Sequence, residues 1–187
     1  MKTLTIIQVV IFILGTISLV IVSRKFLGNT KVHGFYRFFV FEFILALVLL
    51  NIPYWFIDPF SLRQTFSWIL LLISIYLVIV SVSFFKKYGM SKKREDYPGN
   101  YEFENTINLV KEGVYKYIRH PMYSSLLFLS LGALLKNISI ITIVLTVIIL
   151  LFVLLTAKVE EKEDVDFFGN SYLEYMKDTK MFIPYIF

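Results

Sequence analysis

The sequence predicts an all-α, polytopic membrane protein: five transmembrane helices and a cytoplasmic C-terminal amphipathic helix. Three observations predict it. Apolar residues make up 57% of the 187-residue chain, and its mean hydropathy is +0.70, whereas a soluble domain averages about 45–50% apolar residues. The excess sits in long blocks of Ile, Leu, Val and Phe separated by short charged stretches, and about 20 such residues carry a helix across the hydrocarbon. The blocks lack the period-2 alternation of a membrane β-barrel, which leaves helices as the way to satisfy the backbone in lipid.

The first expected span covers residues 3–22 and closes at Ser23-Arg24-Lys25. Met1-Lys2 leads straight into it with no small-residue cleavage site, so it reads as a retained helix rather than a signal peptide. The second covers residues 35–57 and contains Glu42 and Pro53. The third, residues 66–85, carries no charge. The fourth is short, residues 121–135, and the fifth covers residues 138–157. Only Lys136-Asn137 joins these two, which predicts a tight antiparallel hairpin over residues 121–157. The acid Glu42 follows Arg37 by five residues, and snorkelling or pairing with Arg37 is the expected account of it.

Charge sets the orientation. Arg24, Lys25, Lys31 and Arg37 precede the second span. Lys86, Lys87, Lys92, Lys93, Arg94, Lys111, Lys116 and Arg119 lie between the third and fourth, and Lys158, Lys162, Lys177 and Lys180 lie in the tail. Five spans put these sixteen on one side and only Lys2, Arg63 and Lys136 on the other. Basic loops stay in the cytoplasm, so the N-terminus is expected outside and the tail inside. The same flanking role accounts for the net charge of +5, and no nucleic-acid partner is expected. With no cysteine, disulfides, thiolate metal sites and a cysteine nucleophile are excluded. No metal site is expected either.

Two polar segments face the cytoplasm in this arrangement. Residues 86–120 have a turn-rich centre at Asp96-Tyr97-Pro98-Gly99-Asn100. Residues 158 to about 178 read as one amphipathic helix, with Phe168, Tyr172 and Tyr175 at helical spacing and Glu160, Glu161, Glu163 and Asp164 at its start. The chain reads as a single membrane domain over 1–187. Its residues 1–85 form a three-helix N-terminal part and 86–187 the part that carries the chemistry.

The candidate chemistry centres on Tyr115, Lys116, Tyr117, Arg119, His120, Pro121, Met122 and Tyr123, where the polar segment enters the fourth span. Pro121 suits the first helical turn, where its missing N–H costs little. Arg119 and His120 then flank a helix N-terminus, whose unpaired N–H groups and dipole suit an anionic group. Tyrosine faces suit a cationic centre or an aromatic ring. Lys116 and Tyr117 read more simply as an interfacial flank. If spans four and five form a hairpin, Glu160 returns beside His120 and Arg119. The simpler reading of Glu161, Glu163 and Asp164 is that they cap the tail helix.

The string from Asn108-Leu109-Val110 through Gly113-x-Tyr115 to Arg119-His120-Pro121-x-Tyr123, with Glu160-Glu161, Phe167-Phe168-Gly169-x-x-Tyr172-x-x-Tyr175 and Ile183-Pro184, resembles the isoprenylcysteine carboxyl methyltransferases and related phospholipid methyltransferase-like membrane enzymes. The resemblance covers roughly residues 100–187. It implies S-adenosylmethionine held on the cytoplasmic side by Asn108, Leu109, Val110, Tyr115, His120, Pro121, Met122, Tyr123 and Glu160. It also implies a lipophilic methyl acceptor arriving from the membrane lipid, with His120, Glu160 and Arg119 nearest the chemistry. Two positions depart from the pattern. Ile107 stands where many relatives have a histidine, and Thr156 stands where relatives have an arginine for the acceptor's carboxylate. Lys158 is the candidate substitute, as a point charge rather than a fork. Two other readings stay open at this point: a nicotinamide-dependent membrane reductase of sterol-reductase-like architecture, and a non-enzymatic membrane scaffold.

Overall fold

The computed structural model describes residues 5–90 and 106–186. The turn-rich centre expected at residues 96–100, and the bases Lys2, Lys92, Lys93 and Arg94, lie outside the described residues. Among the described residues six α-helices follow in order: α1 (Ile6–Ser23), α2 (His33–Asn51), α3 (Leu62–Tyr88), α4 (Pro121–Leu134), α5 (Ile140–Phe168) and α6 (Asn170–Asp178).

Local signals set most of the boundaries. Thr5 and Gln8 form a reciprocal cap on α1, with Gln8 N–H on Thr5 Oγ1 at 3.3 Å and Thr5 N–H on Gln8 Oε1 at 2.8 Å. Ser139 and Thr142 cap α5 in the same way, and Ser61 caps α3 by accepting from Gln64 N–H alone. Pro53 lacks the N–H that α2 needs, so α2 stops at Asn51 and tightens into a 3₁₀ turn, Ile52–Tyr54, short of the expected residue 57.

Among the described residues four helices, α1, α2, α3 and α5, are long and apolar enough to cross a membrane. Their outer faces leave Leu14, Leu72, Ile75, Ile79, Val144 and Leu151 exposed, a continuous apolar surface that lipid covers. The chain is an integral membrane protein. The expected fourth span is the 14-residue α4, which at about 1.5 Å per residue is roughly 21 Å long, short of a hydrocarbon core about 30 Å thick.

The expected boundary between the fifth span and a tail helix does not exist. The helix that enters at Ile140 continues through Glu160 and Glu161 to Phe168. Gly169, at φ 59°, ends it and redirects the chain into α6. The predicted single tail helix is therefore the last turns of α5 plus a separate α6, which buries Tyr172 and Tyr175 and exposes Leu173, Glu174 and Lys177.

The hairpin of α4 and α5 is looser than its short connection predicts. α4 packs most extensively on α3, and α5 on α2. Val40, Ile44 and Leu47 of α2 meet Ile149, Val153 and Ala157 of α5, with Tyr123, Ala133 and Phe182 closing the core. Between α3 and α4 the contact is small and polar, as helix association in lipid requires. Ser67 Oγ donates to Gly132 O at 2.7 Å, and Ser74 Oγ to Ser125 O at 2.7 Å. A Cβ on Gly132 would lie 2.9 Å from Leu71 Cγ and 3.2 Å from Ser67 O. Gly132→Val is therefore expected to cost about 1–3 kcal/mol by overpacking, read as a lower Tm in detergent. An unchanged Tm would mean that the two helices part freely here.

Glu42 does not pair with Arg37. Five residues place the two on different faces of α2. Glu42 Oε1 instead accepts from Thr16 Oγ1 of α1 at 2.6 Å.

Candidate active site

The chain approaches α4 through a 3₁₀ turn, Gly113–Lys116, and an extended stretch. That stretch is held by the tail that follows α6. Lys180 N–H donates to Tyr117 O at 3.1 Å, Arg119 N–H to Lys180 O at 2.8 Å, and His120 N–H to Met181 O at 3.0 Å. Ser124 Oγ donates to Phe182 O at 2.7 Å. The ladder continues straight into α4, with Pro121 at its first position and His120 as an N-cap that makes no side-chain capping bond. The His120 ring is instead free to turn sideways, where it stacks on Tyr123 at 5.5 Å and 22°.

The second acidic glutamate closes the other side. Arg119 Nε donates to Glu161 Oε1 at 2.6 Å, and Nη1 reaches the carbonyls of Met176 and Thr179. Arg119 thus fastens the tail to α5. Glu160 was expected to return beside Arg119, but the residue that pairs with it is Glu161, which is therefore more than a cap for the tail helix. Glu160 faces His120, with Oε2 3.6 Å from Nδ1, while His120 Nε2 lies 3.4 Å from Glu161 Oε1. Neither approach is a hydrogen bond: His120 Nε2 and Glu160 Oε2 are both buried without a partner. Burial works to lower the His120 pKa, but the facing carboxylates of Glu160 and Glu161 outweigh it and hold it up at about 9.

The sign of the pH effect follows. Folding raises this pKa above the ordinary value of about 6.5, so proton uptake favours the folded state. That stabilisation is complete below about pH 6.5 and is lost as pH rises through about 9. Thermal stability of the ligand-free protein is expected to fall across that window, and His120→Gln to flatten the fall. A wild-type Tm that is level from pH 6.5 to 9 would contradict the charged state of His120.

These side chains open onto a cavity of about 700 Å³, the open solvent at its mouth included. Asn108, Leu109, Val110, Tyr115, His120, Pro121, Met122, Tyr123 and Glu160 all line it, as does Arg119. Burial pushes the phenols of Tyr115, Tyr172 and Tyr175 up, so they are neutral donors. Tyr175 donates to Tyr115 O at 2.6 Å, tying α6 to the 3₁₀ turn.

Lys158 and Thr156 are not brought in. Two residues before Glu160, about 200° round a 3.6-residue helix, Lys158 is exposed on the far side. Thr156 shares the face of Glu160 but lies a turn deeper, fully buried, and donates to Phe152 O at 2.7 Å. Sequence reasoning missed His33, Phe85 and Thr106, which also line the cavity, and set aside Glu163 and Asp164, which do too. Only the scarcity of histidine marked His33: it is one of two in the chain.

The fold and the site define a helical membrane protein with a polar, tyrosine-walled cavity where the ends of its helices and its tail converge. The chain belongs to the phospholipid methyltransferase family, whose model matches residues 62–171. It is 34% identical over 79 residues to the protein-S-isoprenylcysteine O-methyltransferase of Saccharomyces cerevisiae, covering 42% of this chain and 33% of that one. It is 26% identical over 157 residues to the methanethiol S-methyltransferase of Pseudomonas deceptionensis, covering 75% of this chain and 57% of that one. The chain thus spans between a third and a little over half of the length of these curated relatives. No solved structure matches it significantly. Family membership supports methyl transfer at a membrane over the reductase and scaffold readings.

Proposed function

We propose that the cavity binds S-adenosylmethionine and that the protein transfers its methyl group to a lipophilic acceptor at the cytoplasmic face of the membrane. The orientation follows the basic residues, with α4 as a fifth, short crossing segment and the cavity on the basic side. The observation that carries the reading is the pair of buried polar atoms without a hydrogen bond, Glu160 Oε2 and His120 Nε2, on residues that line one cavity. Their nearest charges lie at 3.4–3.6 Å and form no hydrogen bond with them; buried polar atoms left without one are costly, and a ligand with both cationic and anionic groups completes them.

S-adenosylmethionine supplies an activated methyl on a sulfonium, together with an ammonium and a carboxylate. Glu160 is the partner for a cationic group. His120, held protonated near neutral pH, is the partner for the carboxylate, aided by the uncapped N-terminus of α4. Tyr115, Tyr123, Tyr172 and Tyr175 form aromatic walls that exclude water and tolerate a cation. With the methyl already activated, the residues mainly align the reactants, and alignment alone accounts for up to about 7–11 kcal/mol of a barrier. Arg119 is a positioning residue, since its Nε is committed to Glu161 and its Nη1 to the tail.

Calorimetry on detergent-solubilised protein tests this directly. Micromolar binding of S-adenosylmethionine and none of reduced nicotinamide dinucleotide phosphate is the expected result. The reverse would make the protein a reductase.

A further inference from the structure

The cavity is not completed by the matched segment. His33, the first residue of α2, lines it, and lies outside the 62–171 region that the family model covers. Its ring Nδ1 sits 2.6 Å from Glu163 Oε2, and its backbone N–H donates to Glu163 Oε1 at 2.9 Å. One residue thus engages both oxygens of Glu163. The side chains are 2% and 13% exposed, so water competes little for either.

The support beneath His33 is equally close. Arg37 Nη1 lies 3.4 Å from His33 Nε2, one turn along α2. The Arg37 guanidinium rests over the ring of Phe26 at 5.8 Å. Phe26 in turn packs on Gly34, where a Cβ would come within 2.7 Å of its ring. This stack leaves the His33 ring little room to turn away from α5.

Glu163 is three residues after Glu160, so both look into the cavity from adjacent turns of α5. An unclamped Glu163 would compete with Glu160 for a cationic ligand group and for His120. We propose that His33 is a positioning residue of the cofactor site. It holds both oxygens of Glu163 and thereby sets the rotation of α5, so that the free oxygen of Glu160 is the one presented to the cation. The N-terminal end of α2 is then part of the active site. The inference rests on the cofactor reading above and names its N-terminal component.

The test measures S-adenosylmethionine Kd, cofactor and acceptor-independent Tm, on the full chain in detergent for the wild type, His33→Phe and His33→Asn. Phe keeps the bulk of the ring and loses the donor. Asn keeps a donor near the position of Nδ1. The expected result is a Kd weakened about tenfold or more by Phe, the scale typical of losing the partner that orients a ligand-binding group. Asn is expected to stay within about threefold, with the two variants similar in Tm, since a donor retained is a hydrogen bond retained. Equal Kd values for Phe and wild type would overturn the proposal, as would equal losses in Phe and Asn that track Tm. No binding to the wild type at all would take down the cofactor reading itself, and this inference with it.

Discussion

Glu160→Gln is expected to weaken S-adenosylmethionine binding by about 100-fold or more, roughly 2.7 kcal/mol, while the protein still folds. The side chain keeps its shape, and the apolar contacts of α5 are untouched. What is lost is the charge of a carboxylate whose Oε2 is buried without a hydrogen-bond partner beside His120. Hydrogen bonds to charged groups contribute about 1.5–3 kcal/mol each, and a cationic ligand group loses its attraction to Glu160 as well. The neighbouring carboxylates do not replace it: Glu161 is held by Arg119 and Glu163 by His33. Calorimetry on the wild type and the variant decides the matter. Retained affinity in the variant would remove Glu160 from the site.

Arg119→Leu is expected to cost about 3–5 kcal/mol of stability, because removing one partner of a buried ion pair leaves the other uncompensated. The side chains of Arg119 and Glu161 are only 9% and 10% exposed, with Nε and Oε1 2.6 Å apart. The same guanidinium holds the carbonyls of Met176 and Thr179, so its loss also frees the end of α6 and the tail that lies along Tyr117–His120. Thermal melting in detergent should show a large fall in Tm, and limited proteolysis should cut the tail first. Arg119→Lys should recover only part of the loss, since an ammonium cannot serve three acceptors as a planar fork does. The double variant Arg119→Leu, Glu161→Leu should recover more than Arg119→Leu alone. If it recovers nothing, the ion pair is not the source of the stability.

Most of the helices were legible because their causes are local. Apolar blocks mark the spans, and Pro121 announces a helix start by its fixed backbone angle; the capping oxygen of Ser61 was not read, and α3 starts at Leu62 rather than at the expected residue 66. The missed boundary at residue 158 has a clear reason. Hydropathy falls at Lys158, but helical hydrogen bonding does not depend on hydropathy. α5 therefore runs on through its charged turns until Gly169 ends it.

The cavity-lining residues were legible for a different reason. Asn108 to Tyr123 form one nearly continuous string, and a string that folds back on a helix start stays together. The acids were harder. Glu160, Glu161 and Glu163 differ by one or three positions in sequence, yet one is left with a free oxygen, one holds Arg119 and one holds His33.

By itself, the sequence determined that this is a helical membrane protein, where most of its spans lie, and that His120 and Glu160 meet at one place. Those properties follow from local composition and motif. Only the tertiary structure decided that Arg119 serves the tail, that Lys158 and Thr156 stand outside the cavity, and that His33 stands within it. Each of those outcomes depends on the rotation of α5 and on which helix packs against it. A rotation of about 100° per residue turns neighbouring side chains toward different partners, and no local pattern encodes which partner is there.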